Sequence, residues 1–591
     1  MRARPLFLLG GAALLALPAI AQQVGQPAPA QSAPAQPAPA TNGVATAPAT
    51  SPARTAPSAA TGPDESGVEV VSADSLRRPP ARVEYPGWAR RDPWEVGLLD
   101  PQGQGLGAEP WGNSSGAFLS TLMRRMQTPI ASRWAEMALR NALLARTRAP
   151  RDIHPVDWAA ERAWLLLRLG EADAGRMLVA AVDTNRFTPK MTQVAVQAAL
   201  ATADPPALCG FEDMIRRHER PVSQLVSAMC ASLAGEPESA AAQIDNARRY
   251  GRIGGIDLTL AEKVVGAGSN TGRSVTIEWE PVEQLNAWRF GLATATGTVP
   301  PDRLIDPASP QLRAFQARAP LLSPEERIES ALVAAGLGVF SSQALIDLYS
   351  AIYESTDPSD LPNSDAWQIR QAFVAESMDD RVAAIRRILD LGKDGLAREG
   401  ARAAAARAAS LIIPDPKYQD NAPDLIAAML AGGFDQAAAR WADAIGDMDD
   451  EPADRCWAML ALASRDAVSM GIAGSRLSSF IRRDDSPGKR RSALLVAGLA
   501  GLGRINTGSA NNYSRNNNLG LGLETSWTRM IDAAARRGQA GTVLVLTGSG
   551  LQGIEPERIP AAHLYRALAA LKATGQDYTA RMIAAEALAR T

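Results

Sequence analysis

Residues 133–144 read RWAEMALRNALL and place Trp134, Met137 and Leu143 on a single stripe of a helix. Residues 156–169 repeat this apolar spacing. Because an α-helix completes one turn every 3.6 residues, the spacing predicts amphipathic helices that bury one face. The same period dominates most of the remaining chain, so the sequence predicts an all-α body.

Predicted helices begin with recognisable caps. In Ser323-Pro324-Glu325-Glu326 the serine occupies the N-cap, the proline fits the first turn, and the two acids face the positive end of the helix dipole. Alternation with a period of two is almost absent. The best strand candidate is residues 274–280, and one short extended segment makes no sheet.

A turn motif recurs between the predicted helices: a glycine ends an apolar helix, a few polar residues follow, and the chain restarts on alanine. It occurs at Gly170, Gly235, Gly433 and Gly575. Glycine accepts the left-handed conformation that ends a helix, and alanine lets the next helix pack closely. The motif resembles the hairpin turns of tetratricopeptide-type α-solenoids over much of residues 116–591. That resemblance implies a right-handed superhelix (solenoid) of antiparallel helical hairpins that binds proteins and has no chemistry of its own.

The chain begins with the pattern of an export signal, residues 1–21. Arg2 and Arg4 precede an apolar run at residues 6–17, and an A-x-A cleavage motif ends at Ala21. The run is shorter than the about 20 residues that span a membrane, which disfavours an uncleaved anchor. We expect cleavage after Ala21 and a periplasmic protein, with secretion as the alternative destination.

Residues 22–84 are predicted to form a disordered linker rich in alanine and proline. Frequent prolines prevent a helix, and the scarcity of large hydrophobic residues prevents a core. Its role is either that of a spacer or that of a passive leader. The helical remainder is expected to comprise residues 85–270 with a Trp-rich cap, a middle region at 271–410 and a C-terminal hairpin region at 411–591.

Composition excludes several common functions. The 591 residues carry 61 Lys+Arg against 63 Asp+Glu, for a net charge of -2. This balance gives no electrostatic case for nucleic acid or for an anionic membrane surface. The chain has 3 cysteines and 3 histidines, which leaves little for a metal site. We therefore expect no catalytic residue, no cofactor, no metal and no membrane span in the mature chain.

Cys209 and Cys230 are the most informative polar pair. They are expected near the open ends of two helices that fold back on each other at Arg220-Pro221, with Cys209 at the start of one helix and Cys230 at the end of the next. In an oxidising compartment this arrangement predicts a disulfide, and two buried thiols are the alternative. Cys456 is left over and is predicted to be a buried free thiol.

Two sequence motifs imitate catalytic or nucleotide-binding signatures. Residues 542–553 resemble a strand followed by G-x-G-x-x-G, but no helix start follows immediately, so a helix that ends in a glycine-rich turn is the better interpretation. Ser486 and Lys489 match the S-x-x-K of penicillin-recognising enzymes without their companion motifs. We interpret Ser486 as a helix cap and Lys489 as part of a solvated charge run.

A third motif, the dipeptide Glu-Ser, also occurs at the catalytic glutamate of soluble lytic transglycosylases. It occurs here at Glu329, Glu354 and Glu376. None of the three is followed by the glycine-rich stretch that such a catalytic domain carries. We interpret all three as surface carboxylates within helices.

Trp88, Trp94 and Trp111 lie in a segment rich in proline and glycine. We interpret this segment as a loop that wraps the first hairpins and buries its tryptophans as an N-terminal cap. The alternative is a groove-lining segment that binds a partner, because tryptophan is enriched in binding hot spots. A second segment, residues 506–522, is rich in asparagine and glycine and is expected to be an exposed, mobile loop.

Taken together, these observations favour a periplasmic, non-enzymatic scaffold or adaptor. It would bind a protein or peptide partner of the cell envelope through a solenoid surface, in envelope assembly, secretion or motility. The alternative hypothesis is an atypical peptidoglycan-active enzyme of the lytic transglycosylase type. The oligomeric state stays open.

Overall fold

The computed structural model describes residues 86–269, 275–393, 395–466, 470–472, 474–555 and 558–591. The predicted signal peptide at residues 1–21 and the predicted linker at residues 22–84 lie outside the described residues. From Arg91 to Thr591, the described chain belongs to one compact unit. Residues 86–90 lie outside that unit and contain the 3-10 helix Gly87–Ala89. The division of the body at 270/271 and at 410/411 stays a prediction.

The described residues are overwhelmingly helical, which confirms the all-α fold. The first fourteen α-helices are α1 (Gly116–Arg125), α2 (Arg133–Leu144), α3 (Pro155–Leu169), α4 (Ala172–Ala180), α5 (Pro189–Ala201), α6 (Glu212–His218), α7 (Arg220–Leu233), α8 (Pro237–Tyr250), α9 (Ile256–Gly268), α10 (Ala287–Thr294), α11 (Asp302–Ile305), α12 (Pro310–Gln316), α13 (Pro324–Leu337) and α14 (Ser342–Ser355). The others are α15 (Asp365–Val374), α16 (Met378–Asp390), α17 (Gly395–Ala409), α18 (Ala422–Ala431), α19 (Asp435–Ala439), α20 (Asp450–Ala463), α21 (Gly474–Arg483), α22 (Arg490–Gly501), α23 (Thr507–Asn516), α24 (Ser526–Arg536), α25 (Ala540–Gly550), α26 (Ala561–Ala573) and α27 (Asp577–Ala589). No helix among the described residues combines the length and apolarity that a bilayer crossing requires.

Short 3-10 helices and one small antiparallel ladder complete the described secondary structure. Strand β1 (Glu95–Val96) pairs with strand β2 (Thr147–Arg148). The 3-10 helices after residue 90 are Thr184–Arg186, Pro205–Phe211, Leu361–Asn363, Pro416–Tyr418, Ala444–Asp447 and Pro487–Lys489.

Local sequence signals explain where many helices start and stop. Ser323 caps α13 in a reciprocal capping box with Glu326, and Pro324 occupies the first turn as expected. At the other end of helices, the four glycines of the turn motif all have positive φ, from 81° at Gly235 to 110° at Gly170. The predicted turns are therefore confirmed as left-handed helix ends.

Close approach of two helices depends on glycines at a crossing point. On α13, a side chain at Gly336 would collide with the backbone of Leu396, and on α17 a side chain at Gly400 would collide with the backbone of Leu332. Because the two contacts are reciprocal, each helix backbone lies directly against the other. This crossing anchors the middle of the core.

The helices at the two ends of the compact unit contact each other. The amide of Ala131 donates to the Leu551 carbonyl at 2.8 Å, and the amide of Gly553 donates to the Pro129 carbonyl at 2.8 Å. Helix α2 packs against both α25 and α27. An open row of hairpins would leave its first and last helices apart, so the chain returns on itself. The right-handed superhelical path stays a prediction.

One local prediction agrees with the structure and another is wrong. The described part of the strand candidate, residues 275–280, pairs with no other strand, as expected of one short extended segment that makes no sheet. The expected loop at residues 506–522 contains helix α23, whose start Asn506 caps by accepting a hydrogen bond from the Ser509 amide at 2.8 Å. The burial of Ala510 and Ser514 shows the reason: tertiary packing selects a helix that the asparagine-rich composition disfavours.

Candidate functional site

The structure separates the three tryptophans that were predicted to act together. Trp111 is buried, packs edge-on against Trp158 with ring centroids 5.2 Å apart, and donates from Nε1 to Thr147 Oγ1 at 2.8 Å. It also lies against Gly541 of α25, where a Cβ would meet its ring at 3.0 Å. Trp111 thus belongs to the core that joins the first helices to the last.

Trp88 and Trp94 are exposed, so the expectation that the cap buries all three tryptophans is wrong for both. Trp94 precedes β1 and is 47% exposed, and Trp88, in the 3-10 helix Gly87–Ala89, is 88% exposed. Within the described residues, neither packs against the hydrophobic core that encloses Trp111. A partner-binding role for these two stays a prediction.

A second surface, which the sequence did not single out, has the features of a binding site. An open cleft of about 500 Å³ is lined by Arg465, Ile472, Leu502, Arg504, Lys572 and Asp577. We call it the basic cleft. It lies where α20 and α22 end and where the turn between α26 and α27 carries the predicted motif glycine, Gly575. The volume is within the range of small-ligand pockets.

Two cations of the cleft are held in place by helix C-termini. Arg504 donates to the carbonyls of Ala461 and Ser464 at the end of α20. Lys572 Nζ donates to the Leu502 carbonyl, just beyond α22, at 2.5 Å. The last carbonyls of a helix lack partners within the helix and carry partial negative charge, so a cation is favoured there.

The electrostatics of the cleft leave a surplus of positive charge. Burial, followed by the neighbouring Arg581, lowers the pKa of Arg504 to about 10, and Asp577 opposes this shift. The carboxylate of Asp577 forms an ion pair with the guanidinium of Arg581 at 3.1 Å. Arg465 is exposed and makes no ion pair or hydrogen bond with the part of the chain that the structure describes.

An aromatic pair lies beside the basic cleft. Trp134 and Tyr578 meet edge to face with centroids 5.6 Å apart, and Tyr578, which follows Asp577 in α27, is 40% exposed. The guanidinium of Arg581 lies 5.4 Å from the Tyr578 ring centroid. The motif glycine Gly433 approaches both rings. The surface around the cleft therefore combines cations with a partly exposed aromatic edge.

The strongest perturbed carboxyl groups lie elsewhere, in the interior between the first and the last helices. We call this group the seam cluster, and its members are Arg133, Glu136, Arg140, Glu171, Glu399, Arg402, Glu586 and Arg590. As whole residues, Glu136, Glu171 and Glu586 are 1%, 0% and 7% exposed. Burial raises the pKa of all three, and it raises that of Glu171 to about 7.

Ion pairs hold the seam cluster together. Arg140 donates to Glu171 at 2.8 Å, and Arg590 lies 3.4 Å from Glu586 and 3.7 Å from Glu399. Both carboxyl oxygens of Glu136 lack a hydrogen-bond partner among the described residues. Since protein surrounds these groups, a substrate would not reach them. We interpret them as structural groups that hold the first and the last helices together.

The two residues that match the S-x-x-K motif form hydrogen bonds with neighbouring residues. Ser486 occupies the N-cap position of the 3-10 helix Pro487–Lys489, as predicted, but its side chain makes no capping hydrogen bond to that helix. It donates instead to Asp484 at 2.6 Å and accepts from the Arg491 amide at 3.0 Å. Lys489 is not simply solvated: its Nζ donates to the Ile481 carbonyl at 2.5 Å, near the end of α21. Each side chain of the S-x-x-K match therefore has a local structural role.

The glutamates of the Glu-Ser dipeptides are exposed, as predicted for surface carboxylates. Glu329 lies in α13 and Glu354 in α14, whereas Glu376 lies between α15 and α16 and not within a helix. The glycine-rich stretch after Thr542 is confirmed as a helix, because α25 runs to Gly550 and packs its Gly548 against Ile130.

The predicted disulfide is present. Cys209 and Cys230 are bonded, with Cα atoms 5.5 Å apart. Cys209 lies in the 3-10 helix Pro205–Phe211 rather than in an α-helix, and the reversal occurs at Glu219, one residue earlier than expected. Cys456 is free and buried, and burial raises the pKa of its thiol to about 12.

Searches for related proteins returned nothing: no family model, no curated protein and no solved structure matches this chain. The resemblance to tetratricopeptide solenoids thus rests on the turn motif alone. Within the described residues, no group of three or more His, Cys, Asp or Glu side chains is arranged to hold a metal ion.

Sequence reasoning missed the basic cleft because its residues come from four separate segments. One signal was available: the cleft lies at ends of helices, and Gly503-Arg504 and Gly575-Gln576-Asp577 both follow apolar helices. A cation just after the C-terminal end of a helix is predicted to bind the last carbonyls of a helix. Where several such helix ends lie together, the cations are predicted to form a positive surface.

Proposed function

We propose that this protein is an exported, non-enzymatic scaffold or adaptor that binds a protein or peptide partner of the cell envelope. The observation that carries the proposal is the basic cleft, an open surface site whose cations are positioned by helix ends. Helix-end anchoring restricts Arg504 and Lys572 before any ligand arrives, so less side-chain freedom is lost on binding.

The distribution of ionisable groups supports binding over catalysis. A general acid or base must reach the reacting atoms of its substrate. Three carboxyls whose pKa burial raises, those of Glu136, Glu171 and Glu586, are enclosed in the seam cluster. Burial also raises the pKa of Asp173, Glu219 and Asp365, and none of these lines the basic cleft. In the cleft, Asp577 is paired with Arg581.

The disulfide supports export. A bond between Cys209 and Cys230 persists in an oxidising compartment and is rare in the cytosol. We expect mass spectrometry of the protein from a periplasmic fraction to find Gln22 as the first residue. Intact Met1 in a cytoplasmic fraction would refute export.

Zymography on peptidoglycan gels tests the non-enzymatic part of the proposal. We expect purified mature protein to give no cleared band, and chemical cross-linking in the native envelope to give one stoichiometric protein partner. A cleared band that purified protein reproduces would overturn the scaffold and favour the peptidoglycan-active alternative. A matched preparation of a Glu329→Gln, Glu354→Gln and Glu376→Gln triple variant would then show whether a Glu-Ser glutamate is responsible.

A further inference from the structure

We propose that the basic cleft binds an acidic peptide segment of the partner, with partner carboxylates at Arg465, Arg504 and Lys572. This inference rests on the proposed function and names the surface and the ligand chemistry. Three cations and one carboxylate line a cleft of about 500 Å³ in a chain whose net charge is only -2. The positive charge is therefore local and is not a property of the whole molecule.

Neighbouring carboxylates neutralise only part of the positive charge of the cleft. Arg581, which is 5% exposed, lies next to Arg504 and is shared between Asp577 and Asp435 at 3.1 Å each. The Asp577 carboxylate is therefore shared between Arg581 and the lining cation Arg504. An anionic ligand would supply the missing charge, and its attraction would be strongest to Arg504, which is partly withdrawn from water.

The three cations differ in how they would take part. Arg504 and Lys572 are held by the carbonyls of Ser464 and Leu502, yet each retains further N–H donors, because a guanidinium has five and an ammonium three. Arg465 is exposed and unanchored in the described chain, so it would close on the ligand at some entropic cost. It is also the cation whose replacement disturbs the fold least.

The remaining lining favours a peptide over an inorganic anion. Ile472 adds partly exposed apolar surface, whereas Leu502 is buried and contributes its backbone carbonyl, and Asp577 offers an acceptor beside the cations. A compact phosphate would leave the Ile472 side chain uncovered and would place no N–H donor at the Asp577 carboxylate. A peptide presents carboxylates, apolar side chains and backbone N–H groups together, and so it matches each part of the lining.

Fluorescence anisotropy tests the inference with the full mature protein. The probe is a fluorescein-labelled peptide that alternates glutamate with alanine and leucine, and the control peptide carries glutamine in place of glutamate. We expect the acidic peptide to bind and Arg465→Glu to weaken it at least about fivefold, because a like charge replaces an attractive one. Lys572→Gln keeps a donor for the Leu502 carbonyl and should also weaken binding.

Arg537→Glu is the matched control, because Arg537 is also exposed and also lies just beyond a helix end, that of α24. We expect it to change the affinity less than about twofold, since Arg537 does not line the cleft. Equal losses for Arg465→Glu and Arg537→Glu would mean non-specific attraction and would overturn the inference. Equal binding of both peptides, or no binding of either, would overturn it as well.

Competition separates the peptide from a general oxyanion. Inorganic phosphate at the concentration of the unlabelled acidic peptide should not displace the probe, and displacement by phosphate would overturn the inference. The partner cross-linked in the envelope distinguishes this failure from that of the proposed function. If Arg465→Glu captures that partner as well as the wild type does, the cleft is wrong while the scaffold stands; if neither captures a partner, the scaffold fails.

Discussion

The seam cluster and the basic cleft both place arginines beside carboxylates, and they treat charge in opposite ways. In the seam cluster four arginines face four glutamates in an interior where Glu171 is 0% exposed. In the basic cleft, three cations and one carboxylate, Asp577, are the charged side chains of the described lining, in an open site. A buried charge must be compensated within the protein, whereas water stabilises a surplus at the surface. The first arrangement closes the fold, and the second stays available to a ligand.

The sharpest test of this comparison removes one carboxylate from each region. Glu586 and Asp577 both lie on α27 and both pair with an arginine. Glu586→Ala leaves the Ser132 hydroxyl and the Arg133 amide without this acceptor and leaves Arg590 with Glu399 as its remaining carboxylate, so we expect a loss of about 3–5 kcal/mol of unfolding free energy.

Asp577→Ala is the matched control for that variant. Its side chain is 52% exposed, and we expect it to cost less than about 1 kcal/mol. Urea unfolding followed by circular dichroism measures both. Equal losses would contradict the distinction between the two regions.

The disulfide provides a covalent reference for the size of the seam effect. Cys209 and Cys230 close a loop with a sequence separation of 21. We expect Cys209→Ser and Cys230→Ser to lower stability equally, by about 3 kcal/mol, because each opens the same loop. The double variant should add little, since both changes break one bond. Additive losses in thermal unfolding would show that the two side chains act independently.

Stability should depend on pH through the seam cluster. Burial raises the pKa of Glu171 to about 7, although Arg140 and Arg318 oppose the shift, and Glu136 titrates with it. Because the folded pKa is above the unfolded value, this stabilisation is complete below the unfolded pKa of about 4.3 and is lost as the pH rises through about 7. We expect the contribution to unfolding free energy to fall by about 2 kcal/mol between about pH 5 and pH 8.

Glu171→Gln should flatten that pH profile, because glutamine does not titrate. Glu236→Gln is the control: Glu236 follows the motif glycine Gly235 as Glu171 follows Gly170, but it is exposed. Urea unfolding across the pH range compares the slopes of the two variants with that of the wild type. A Glu171→Gln profile as steep as the wild type would assign the pH dependence to other groups.

The smallest expected changes in unfolding free energy distinguish a cleft cation that stabilises the fold from one that is free to bind a ligand. Arg504→Met removes two bonds to the end of α20, and we expect a loss of about 1–2 kcal/mol. Arg465→Met should change the unfolding free energy by less than about 0.5 kcal/mol, because this side chain has no partner in the described chain. A large loss for Arg465→Met would show that this cation supports the fold.

Local signals in the chain were sufficient for much of the helical architecture. The capping box of Ser323 and the glycine turns at Gly170 and Gly575 were predictable, because caps and left-handed turns depend on a few neighbouring residues. The Cys209–Cys230 bond was also predictable, since two short adjacent segments brought its ends together. By contrast, helix α23 was missed because its asparagines disfavour a helix and its packing overrides them.

The sequence by itself determined that the body is all-α, where most hairpins turn and which cysteines pair, since these follow from interactions between residues close in the chain. Only the tertiary structure decided that α2 meets α27, that Trp111 is enclosed while Trp94 is exposed, and that Arg465, Arg504 and Lys572 share one cleft. These residues are far apart in sequence, and no local period or cap encodes their distance. Their proximity follows from how the whole set of helices buries its apolar faces, and that is a property of the packed chain.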